Sequence, residues 1–372
     1  MKILKNITVF TMVMLLSVST VLEAREKNIS NFSSSASNLV DSTGTFDGNK
    51  IYADVANNGL FLDYHVSGDS ALEWPKGTGV HSIFQSALWM GATVNGSIRT
   101  IVGDYTQDMG PGPWGGDPLA AVHRIYKVEK SMLASPLDFA DFQEWPVEFG
   151  APWVDVDGDG VYTPLPGGTD HPEFLGDQVL WFVSNDGDPA YKLNFGTSPM
   201  NVEIQTTMFG FDRPDVFGDM VFLKQLVINK GSDDLVDTYM GLWSDPDLGY
   251  AGDDFVGCDV ALGMGYVWND GDDQQYSTLD IGTPAAGYDF FQGPMVPCED
   301  GDSEEVCPTE GAKMFGTRHP GMKNLKMSSF AFYINGDATY TDPSDETEGY
   351  FYLQGLRKDG SAYPAEIAGD LY

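Results

Sequence analysis

The chain of 372 residues carries 55 acidic and only 20 basic side chains, so its formal charge is −35 at neutral pH. This charge repels nucleic acid and anionic membrane surfaces and excludes a protein that binds phosphate backbones through basic patches. The chain is nevertheless 42% hydrophobic and 13% aromatic, which excludes an intrinsically disordered acidic protein. Its length predicts one large or two fused folding units.

The N-terminus has the pattern of a cleaved signal peptide. Lys2 and Lys5 precede an apolar run over residues 7–21, and Ala24 is a small residue at which cleavage can occur. The run is shorter than the roughly 20 apolar residues that a spanning helix needs, although a single membrane anchor is the alternative. We therefore expect residues 1–24 to be removed on export, with no membrane span left in the mature chain.

Residues 25–48 are rich in Ser, Asn and Thr without periodicity, and they predict a flexible leader. Over residues 49–372, short apolar and aromatic runs alternate with clusters of Gly, Asp, Asn and Pro. That alternation predicts a mostly β extracellular region of the antiparallel β-sandwich type, with few short helices. Because no sorting segment follows, we leave open that the region is truncated at its C-terminus.

The clearest hairpin signal is the dipeptide Asn95-Gly96 between two strand-like runs, because both central positions of a type I′ turn need positive φ. One helix is predicted over residues 135–144, where Ser135 can cap the first turn and Pro136 suits the first helical position. Further strands are predicted over residues 58–65, 122–130, 179–184, 202–211, 221–229, 237–243, 261–268, 325–334 and 350–356.

Three cysteines are present, Cys258, Cys298 and Cys307. Cys298 and Cys307 bracket a short acidic loop that a disulfide could close, and export would permit the bond. We predict this bridge, with free thiols or a pairing that involves Cys258 as the alternatives, because connectivity cannot be read from sequence. A zinc site is not indicated, because the sequence contains neither a CxxC motif nor a paired His spacing beside these cysteines.

The sharpest local motif is DVDGDGVY, over residues 155–162. Asp155, Asp157 and Asp159 stand at the first, third and fifth positions of a calcium loop. Gly160 follows at the position of the sharp turn, and the carbonyl of Val161 falls at the next ligand position. Alternate carboxylates converge on one ion in such loops, so we predict calcium bound by Asp155, Asp157, Asp159 and Val161.

The second half of the calcium loop is missing. Pro166 stands where an EF-hand has its bidentate Glu, and the preceding Gly-Ala-Pro excludes an incoming helix. We expect a more distant carboxylate, Asp170, Glu173 or Asp177, to complete the ligand set. The alternative is an Asp-rich turn that binds no metal.

A second acidic stretch contains Asp245, Asp247, Asp253, Asp254 and Asp259 between apolar strand-like residues. Its spacing fits no standard ion-binding loop. Another ion site, a polar pocket at a strand end and a solvated loop all remain open.

Motifs of serine hydrolases, zinc proteases and nucleotide-binding loops are absent, so the sequence identifies no catalytic residue. Carboxylate pairs at the spacing of glycosidases cannot be recognised from sequence, which keeps a hydrolase open. The eight tryptophans could form a platform for sugars, although a Trp among β-branched residues is more often in a core.

Several segments carry a resemblance to a known kind of protein: NNGLF, LEWPKGTG, ALWMGATVNGSIR, GAPWVDVDGDGVY, GDQVLWFVSNDGD, INKG and YMGLWSDPDLGYAGDDFVGCD. As a set they resemble large secreted bacterial surface proteins that often end in a type IX secretion sorting domain. The resemblance implies a secreted or outer-surface location and leaves the activity unassigned.

From these observations we expect a structural or adhesive surface protein with calcium-stabilised acidic loops. Its expected partners are calcium and surface polymers or other surface proteins, and nucleic acid is excluded. A secreted polysaccharide-binding module or hydrolase is the alternative function.

Overall fold

A computed structural model describes residues 7–14, 16–17 and 43–364 of the chain. These residues are mostly β, which confirms the predicted class. Two compact units are present: unit 1 comprises Met1–Arg25, Ala87–Val102 and Ser232–Tyr372, and unit 2 comprises Glu26–Ser86 and Gly103–Gly231. Neither helix in the described residues has the length and apolar character that a membrane crossing needs.

The strands in chain order are β1 Ile7–Met14, β2 Leu16–Ser17, β3 Thr43–Phe46, β4 Tyr52–Ala56, β5 Leu60–Leu62, β6 Leu72–Glu73, β7 His81–Ile83, β8 Gln85–Val94, β9 Ser97–Ile101, β10 Gly110–Pro111, β11 Tyr126–Glu129, β12 Trp153–Val154, β13 His171–Pro172, β14 Gln178–Asn185, β15 Val202–Gly210, β16 Phe222–Asn229, β17 Val236–Asp245, β18 Asp254–Asp259, β19 Met264–Asn269, β20 Ala286–Asp289, β21 Met295–Pro297, β22 Ala312–Met314, β23 Thr317–His319, β24 Met322–Asn324, β25 Met327–Ala331 and β26 Ile334–Asn335. The α-helices of the described residues are α1 Ala140–Gln143 and α2 Glu346–Leu353.

The main sheet of unit 2 has the strand order β10-β14-β15-β16, and β11 also pairs with β14. Strand β14 is apolar on both faces and buried along its whole length, as a strand inside a covered sheet should be. On one of its faces Val179, Trp181 and Val183 pack with Tyr126 and Trp145 in an aromatic core cluster. This cluster supports the acidic loop.

A second sheet of unit 2 has the order β3-β4-β6-β7. Strand β3 lies inside the range predicted as a flexible leader, and that prediction is wrong for these residues. Phe46 is fully buried, and β3 pairs antiparallel with β4, so both packing and backbone hydrogen bonds hold it. The remainder of the predicted leader, residues 25–42, lies outside the described residues.

Unit 1 contains a mixed sheet in which the order β25-β1-β17-β8 is extended by β9. Strands β8 and β9 form the predicted hairpin, with φ of 51° at Asn95 and 82° at Gly96. The prediction of a type I′ turn is confirmed. Strand β1 pairs in parallel with β17 and β25 and falls within the predicted signal peptide. Cleavage of that segment stays a prediction, and its other residues, apart from β2, lie outside the described part of the chain.

The strand predicted over residues 350–356 is wrong, because Glu346–Leu353 form helix α2. Asp345 caps this helix by accepting the backbone N–H groups of Thr347 and Glu348, each at 2.9 Å. Gly91 makes room for the helix on the sheet, since a Cβ there would lie 2.7 Å from the ring of Tyr350.

The helix predicted over residues 135–144 is interrupted. Pro136–Asp138 form one 3-10 turn, and Ser135 stands before it without using its side chain as a cap. Phe139 is extended, at φ −124° and ψ 112°, and its ring packs against the aromatic core cluster. Packing of that ring has therefore overridden local helix propensity, leaving the short helix α1.

The predicted disulfide is confirmed: Cys298 and Cys307 are bonded, and their Cα atoms are 5.9 Å apart. Cys258 is a free, buried thiol on β18. Most of the other predicted strands are present with shifted ends, whereas the strand expected over residues 58–65 is reduced to β5.

Candidate metal centre

The acidic loop of unit 2 connects two very short strands. Val154 of β12 pairs antiparallel with His171 of β13. Asp155 follows β12 and Asp170 precedes β13, so the pairing places these two residues beside each other at one end of the hairpin. Strands of this length leave little periodic signal in a sequence, and the sequence therefore did not single out Asp170 from the other distant carboxylates.

Carboxylate oxygens of Asp155, Asp157 and Asp170 lie within 4.8 Å of one another. Calcium binds oxygen at about 2.3–2.6 Å, so two ligands of one ion are at most about 5 Å apart. The spacing of the three oxygens therefore matches a shared calcium ion. Of the three distant carboxylates proposed from sequence, Asp170 is the one that reaches the loop, whereas Glu173 pairs with Lys224.

Asp155 organises the turn of the loop. One of its oxygens accepts the backbone N–H of Gly158 at 2.6 Å, and the other accepts that of Gly160 at 2.9 Å. Gly160 has φ of +78°, the left-handed conformation that the calcium-loop interpretation required. A carboxylate has about four lone-pair sites, so these bonds leave Asp155 able to bind a cation.

Asp157 and Asp159 differ in their placement. Asp157 accepts the N–H of Asp159 at 3.2 Å and belongs to the converging group. Asp159 accepts the N–H of Val161 at 2.7 Å and is not a member of that group. The side chains of Asp159 and Val161 are both exposed. The structure thus brings together two of the three predicted Asp ligands and adds Asp170.

Asp170 forms the buried base of the site, with 2% of its surface exposed. Its carboxylate accepts the backbone N–H of Thr163 at 2.9 Å and that of Val156 at 2.8 Å. These two hydrogen bonds hold the pKa of Asp170 below its ordinary value. Asp170 is therefore a carboxylate at neutral pH, which is the form that a cation binds.

Both ends of the loop are attached to the aromatic core cluster. The Tyr162 hydroxyl donates to the carbonyl of Phe142 at 2.6 Å, and burial raises the pKa of that hydroxyl. The rings of Trp153 and Tyr162 meet edge to face with centroids 5.5 Å apart. Because Trp153 precedes the loop and Tyr162 ends it, a cation bound between them would brace a segment that already contacts the core.

The second acidic stretch lies in unit 1. Asp245 ends β17, Asp254 begins β18, and both of these carboxylates and that of Asp247 are buried, so a solvated loop is wrong for these residues. Burial raises the pKa of Asp254 to about 8, and the neighbouring carboxylates of Asp247 and Asp253 contribute in the same direction. Within the described residues, no second group of three His, Cys, Asp or Glu ligands lies as close together as the group at Asp155.

Two further contacts of a buried carboxylate with a basic side chain were not anticipated from sequence. His65 Nδ1 lies 2.6 Å from a carboxylate oxygen of Asp63, which also accepts a hydrogen bond from Gln85. Burial opposes the charge on Asp63, but the hydrogen bond from His65 keeps its pKa below the ordinary value. Lys192 Nζ lies 2.8 Å from Asp108 Oδ2, a pair separated by 84 residues and therefore without a local sequence signal.

Four of the eight tryptophans are unsuited to a sugar platform. Trp89, Trp145, Trp181 and Trp243 are buried and belong to the core. Trp114 is exposed, and its indole N–H donates to Asn201 at 3.1 Å.

The chain matches no protein family, no curated protein and no solved structure. The resemblance to large secreted surface proteins therefore stays a prediction, and function has to be inferred from the chemistry of the residues themselves.

Proposed function

We propose that this is a secreted or outer-surface protein with a structural or adhesive role, stabilised by calcium bound in its acidic loop. The observation that carries the proposal is the convergence of Asp155 and Asp157 on the buried, ionised Asp170. Like charges at this spacing repel one another, and a divalent cation among them would replace that repulsion with attraction.

Calcium suits this site better than other common metals. The converging side chains offer oxygen ligands alone, which hard cations prefer, whereas zinc favours Cys and His. Magnesium requires near-ideal octahedral geometry and keeps several waters, while calcium accepts irregular sets of oxygen ligands. Because the loop supplies only part of a full ligand set, we expect binding at the weak extracellular end of the range, with Kd on the order of 10⁻⁴–10⁻³ M.

The extracellular location is supported by the disulfide between Cys298 and Cys307, since such bonds persist mainly in oxidising compartments. Export through a type IX route and a sandwich-type packing of the sheets are part of the same proposal. The acidic surface would keep the protein soluble and apart from anionic membranes. Its partners would be surface polymers or other surface proteins.

The test is a thermal melt in calcium and in chelator. At calcium about tenfold above Kd, mass action stabilises the folded state by about 1.4 kcal/mol, which corresponds to a few degrees in Tm. Asp157→Asn keeps the shape of the side chain but removes its charge, and it should abolish most of this shift. Asp159→Asn is the matched control, because Asp159 lies two residues away and outside the converging group.

Identical melting of the wild type in both buffers would show that the loop is an Asp-rich turn without a metal. Equal loss in the two variants would place Asp159 among the ligands after all. Retention of the full shift in Asp157→Asn would mean that calcium binds elsewhere, with the Asp245–Asp259 stretch as the next candidate.

A further inference from the structure

Three ionisable side chains meet in the interior of unit 2: Lys192, Asp108 and Asp186. Each side chain is 2% exposed or less. Lys192 Nζ lies 2.8 Å from Asp108 Oδ2 and 3.9 Å from Asp186 Oδ2. A buried ion pair is often no more stabilising than apolar side chains of the same volume, so stability does not by itself explain a lysine between two acids.

The backbone around Asp108 is held on both sides. Gly110 of β10 pairs with Asn185 at the end of β14. The N–H of Met109, which is fully buried, donates to the carbonyl of Asn58 at 3.1 Å. Asp108 therefore enters β10 on a segment with little freedom to move away from its partner.

Lys192 is placed by a 3-10 turn, Pro189–Tyr191, which Asp188 caps. The ring of Tyr191 lies over Gly110, because a Cβ at that glycine would be only 3.1 Å from the ring. The turn thus packs on β10 and holds the lysine beside the acid that precedes this strand.

Asp186 is fixed by two backbone hydrogen bonds. Its two carboxylate oxygens accept the N–H groups of Met200 and Val202, each at 2.7 Å. Burial raises the pKa of Asp186, although the charge of Lys192 opposes that shift. Asp186 therefore holds a proton more readily than an ordinary Asp, and it can give that proton away and take one back.

We infer that Lys192 and Asp108 condense to an amide, an intramolecular isopeptide bond, with Asp186 as the proton relay. A nitrogen 2.8 Å from one oxygen of a carboxyl group is at most about 4 Å from its carbon, and reacting atoms need about 3–3.5 Å. Rotation of the Asp108 carboxyl group is enough to close this gap. The structure shows the pair before it reacts.

The condensation needs neither an oxidant nor a cofactor. The ammonium of Lys192 gives a proton to the carboxylate of Asp108, because two neutral groups cost less than two ions in a buried site. The Nζ lone pair then forms a bond with the carboxyl carbon. Asp186 donates its proton to the carboxyl oxygen that takes up the electron pair, and it takes one from Nζ.

Collapse of this intermediate breaks one carbon–oxygen bond. The hydroxyl leaves as water with the proton of the other hydroxyl, and the carbonyl forms again. The net change converts one ammonium and one carboxylate into one amide and one water. Asp186 ends as it began, which is what a proton relay requires.

A second pair shows that distance alone is not the criterion. Lys50 Nζ also lies 2.8 Å from a carboxylate oxygen, that of Asp219. These side chains are 41% and 31% exposed, so water stabilises both ions and keeps the amine protonated. We therefore expect this pair to stay ionic, and it serves as an internal control.

The bond would close a loop across 84 residues and attach the start of β10 to the turn that follows β14. Such a crosslink survives denaturants and reductants, which suits a protein outside the cell. It does not depend on calcium, because none of its three residues belongs to the acidic loop.

The test is the intact mass of the full chain after cell-free synthesis, measured over time in denaturant and reductant. We expect the wild type to become lighter by one water molecule. A protease digest should then contain one branched peptide that joins residue 108 to residue 192, and none that joins Lys50 to Asp219. Lys192→Arg and Asp108→Ala should keep the full mass.

The proton relay is tested by Asp186→Asn, which keeps both reacting groups. This variant should form the bond about a hundredfold more slowly or not at all. A melt shows whether each variant is folded, and the wild-type mass decides the proposal even if every variant unfolds.

A wild type that keeps the full mass overturns the inference. So does a water loss that the digest places elsewhere, for example in a succinimide at Asp157-Gly158, and so does a bond in Asp186→Asn that forms as fast as in the wild type. Asp157→Asn should form the crosslink normally, and Lys192→Arg should keep the calcium-dependent Tm shift, so this inference and the proposed function can fail separately.

Discussion

Asp170 accepts the backbone N–H of Val156 at 2.8 Å, although 14 residues separate them. The other oxygen of the same carboxylate accepts the N–H and the hydroxyl of Thr163, at 2.9 and 3.2 Å. One buried side chain thus joins the start of the acidic loop to its end by hydrogen bonds alone. The loop therefore has a base that is held by the fold and a rim, Asp155 and Asp157, whose mutual repulsion a cation would relieve.

This division of the loop predicts different effects for two substitutions. Asp170→Ala removes the acceptors of the Val156 and Thr163 N–H groups, so both amides should exchange hydrogen faster in calcium and in chelator alike. Asp157→Asn should speed exchange in the loop only when calcium is present. Hydrogen–deuterium exchange of loop peptides by mass spectrometry measures both, and protection that survives Asp170→Ala would contradict the assigned role of Asp170.

The buried pair of Lys192 and Asp108 should be essential for stability. Their side chains are 1% and 2% exposed, and Lys192 Nζ also lies 3.9 Å from Asp186. Lys192→Met would remove the cation that faces two buried carboxylates and should reduce the free energy of unfolding by about 3–5 kcal/mol. Adding Asp108→Asn should recover part of the loss. Urea unfolding measures both, and a single variant as stable as the wild type would contradict the prediction.

Local signals in the sequence predicted the hairpin turn but not the helices. The turn at Asn95-Gly96 was predictable because two adjacent positive φ angles have few sequence solutions. Helix α2 was missed because Tyr350, Phe351 and Tyr352 have high β propensity, although Asp345 with Glu348 three residues later is a helix-start signal. The helix expected after Ser135 is interrupted although its local start signals are favourable, because Phe139 takes an extended conformation and packs its ring against the aromatic core cluster.

The candidate site was predictable as far as its spacing is local. The alternation of Asp155 and Asp157 before a glycine turn lies within eight consecutive residues of the sequence. The structure brings both carboxylates together. The contribution of Asp170 depends on the pairing of β12 with β13. These strands are too short for a periodic hydrophobic pattern to predict that pairing from the sequence. The contact between Phe255 and Trp268 has no local sequence signal either, because it depends on the cross-strand register of β18 with β19.

The three cysteines should react in a fixed order with an alkylating reagent at pH 8. Cys298 and Cys307 are bonded, and Cys258 is buried with a pKa raised to about 11 by that burial. The native protein should therefore incorporate no label, because Cys258 is protonated at this pH and the reagent cannot reach its buried sulfur. Unfolding without reductant should expose the single thiol of Cys258, and reduction should expose all 3. Labelling of Cys298 or Cys307 before reduction would contradict the bridge.

Reduction should also weaken the fold. The bridge spans a sequence separation of 9 residues, and for such a loop the chain-entropy argument gives a stabilisation of about 2–3 kcal/mol. Unfolding of the Cys298→Ser and Cys307→Ser double variant, compared with the wild type under non-reducing conditions, measures this contribution, and equal stability of the two proteins would refute it.

The last prediction concerns Asp254, which is 8% exposed and whose Oδ1 has no hydrogen-bond partner among the described residues. Burial raises its pKa to about 8, and the carboxylates of Asp247, Asp253 and Asp273 face it and oppose its ionisation. In the unfolded chain its pKa is about 3.9. Between these values the native state holds a proton that the unfolded state has lost, so through this group stability falls as pH rises from about 4 to about 8. Outside that window the contribution is flat.

Asp254→Asn isolates this effect, because the neutral amide resembles the protonated acid and can still accept the N–H of Leu248, a bond of 2.9 Å in the wild type. Near pH 4 the two proteins should be similarly stable. The advantage of the variant should then grow by up to about 1.4 kcal/mol for each pH unit and level off above pH 8. Denaturant unfolding in chelator from pH 4 to 9 measures the difference, and Asp272→Asn, an exposed carboxylate nearby, should show little change. A constant difference between wild type and Asp254→Asn across this range would mean that Asp254 is ionised in the native state, and a cation or hydrogen bond at its Oδ1 would then have to compensate its buried charge.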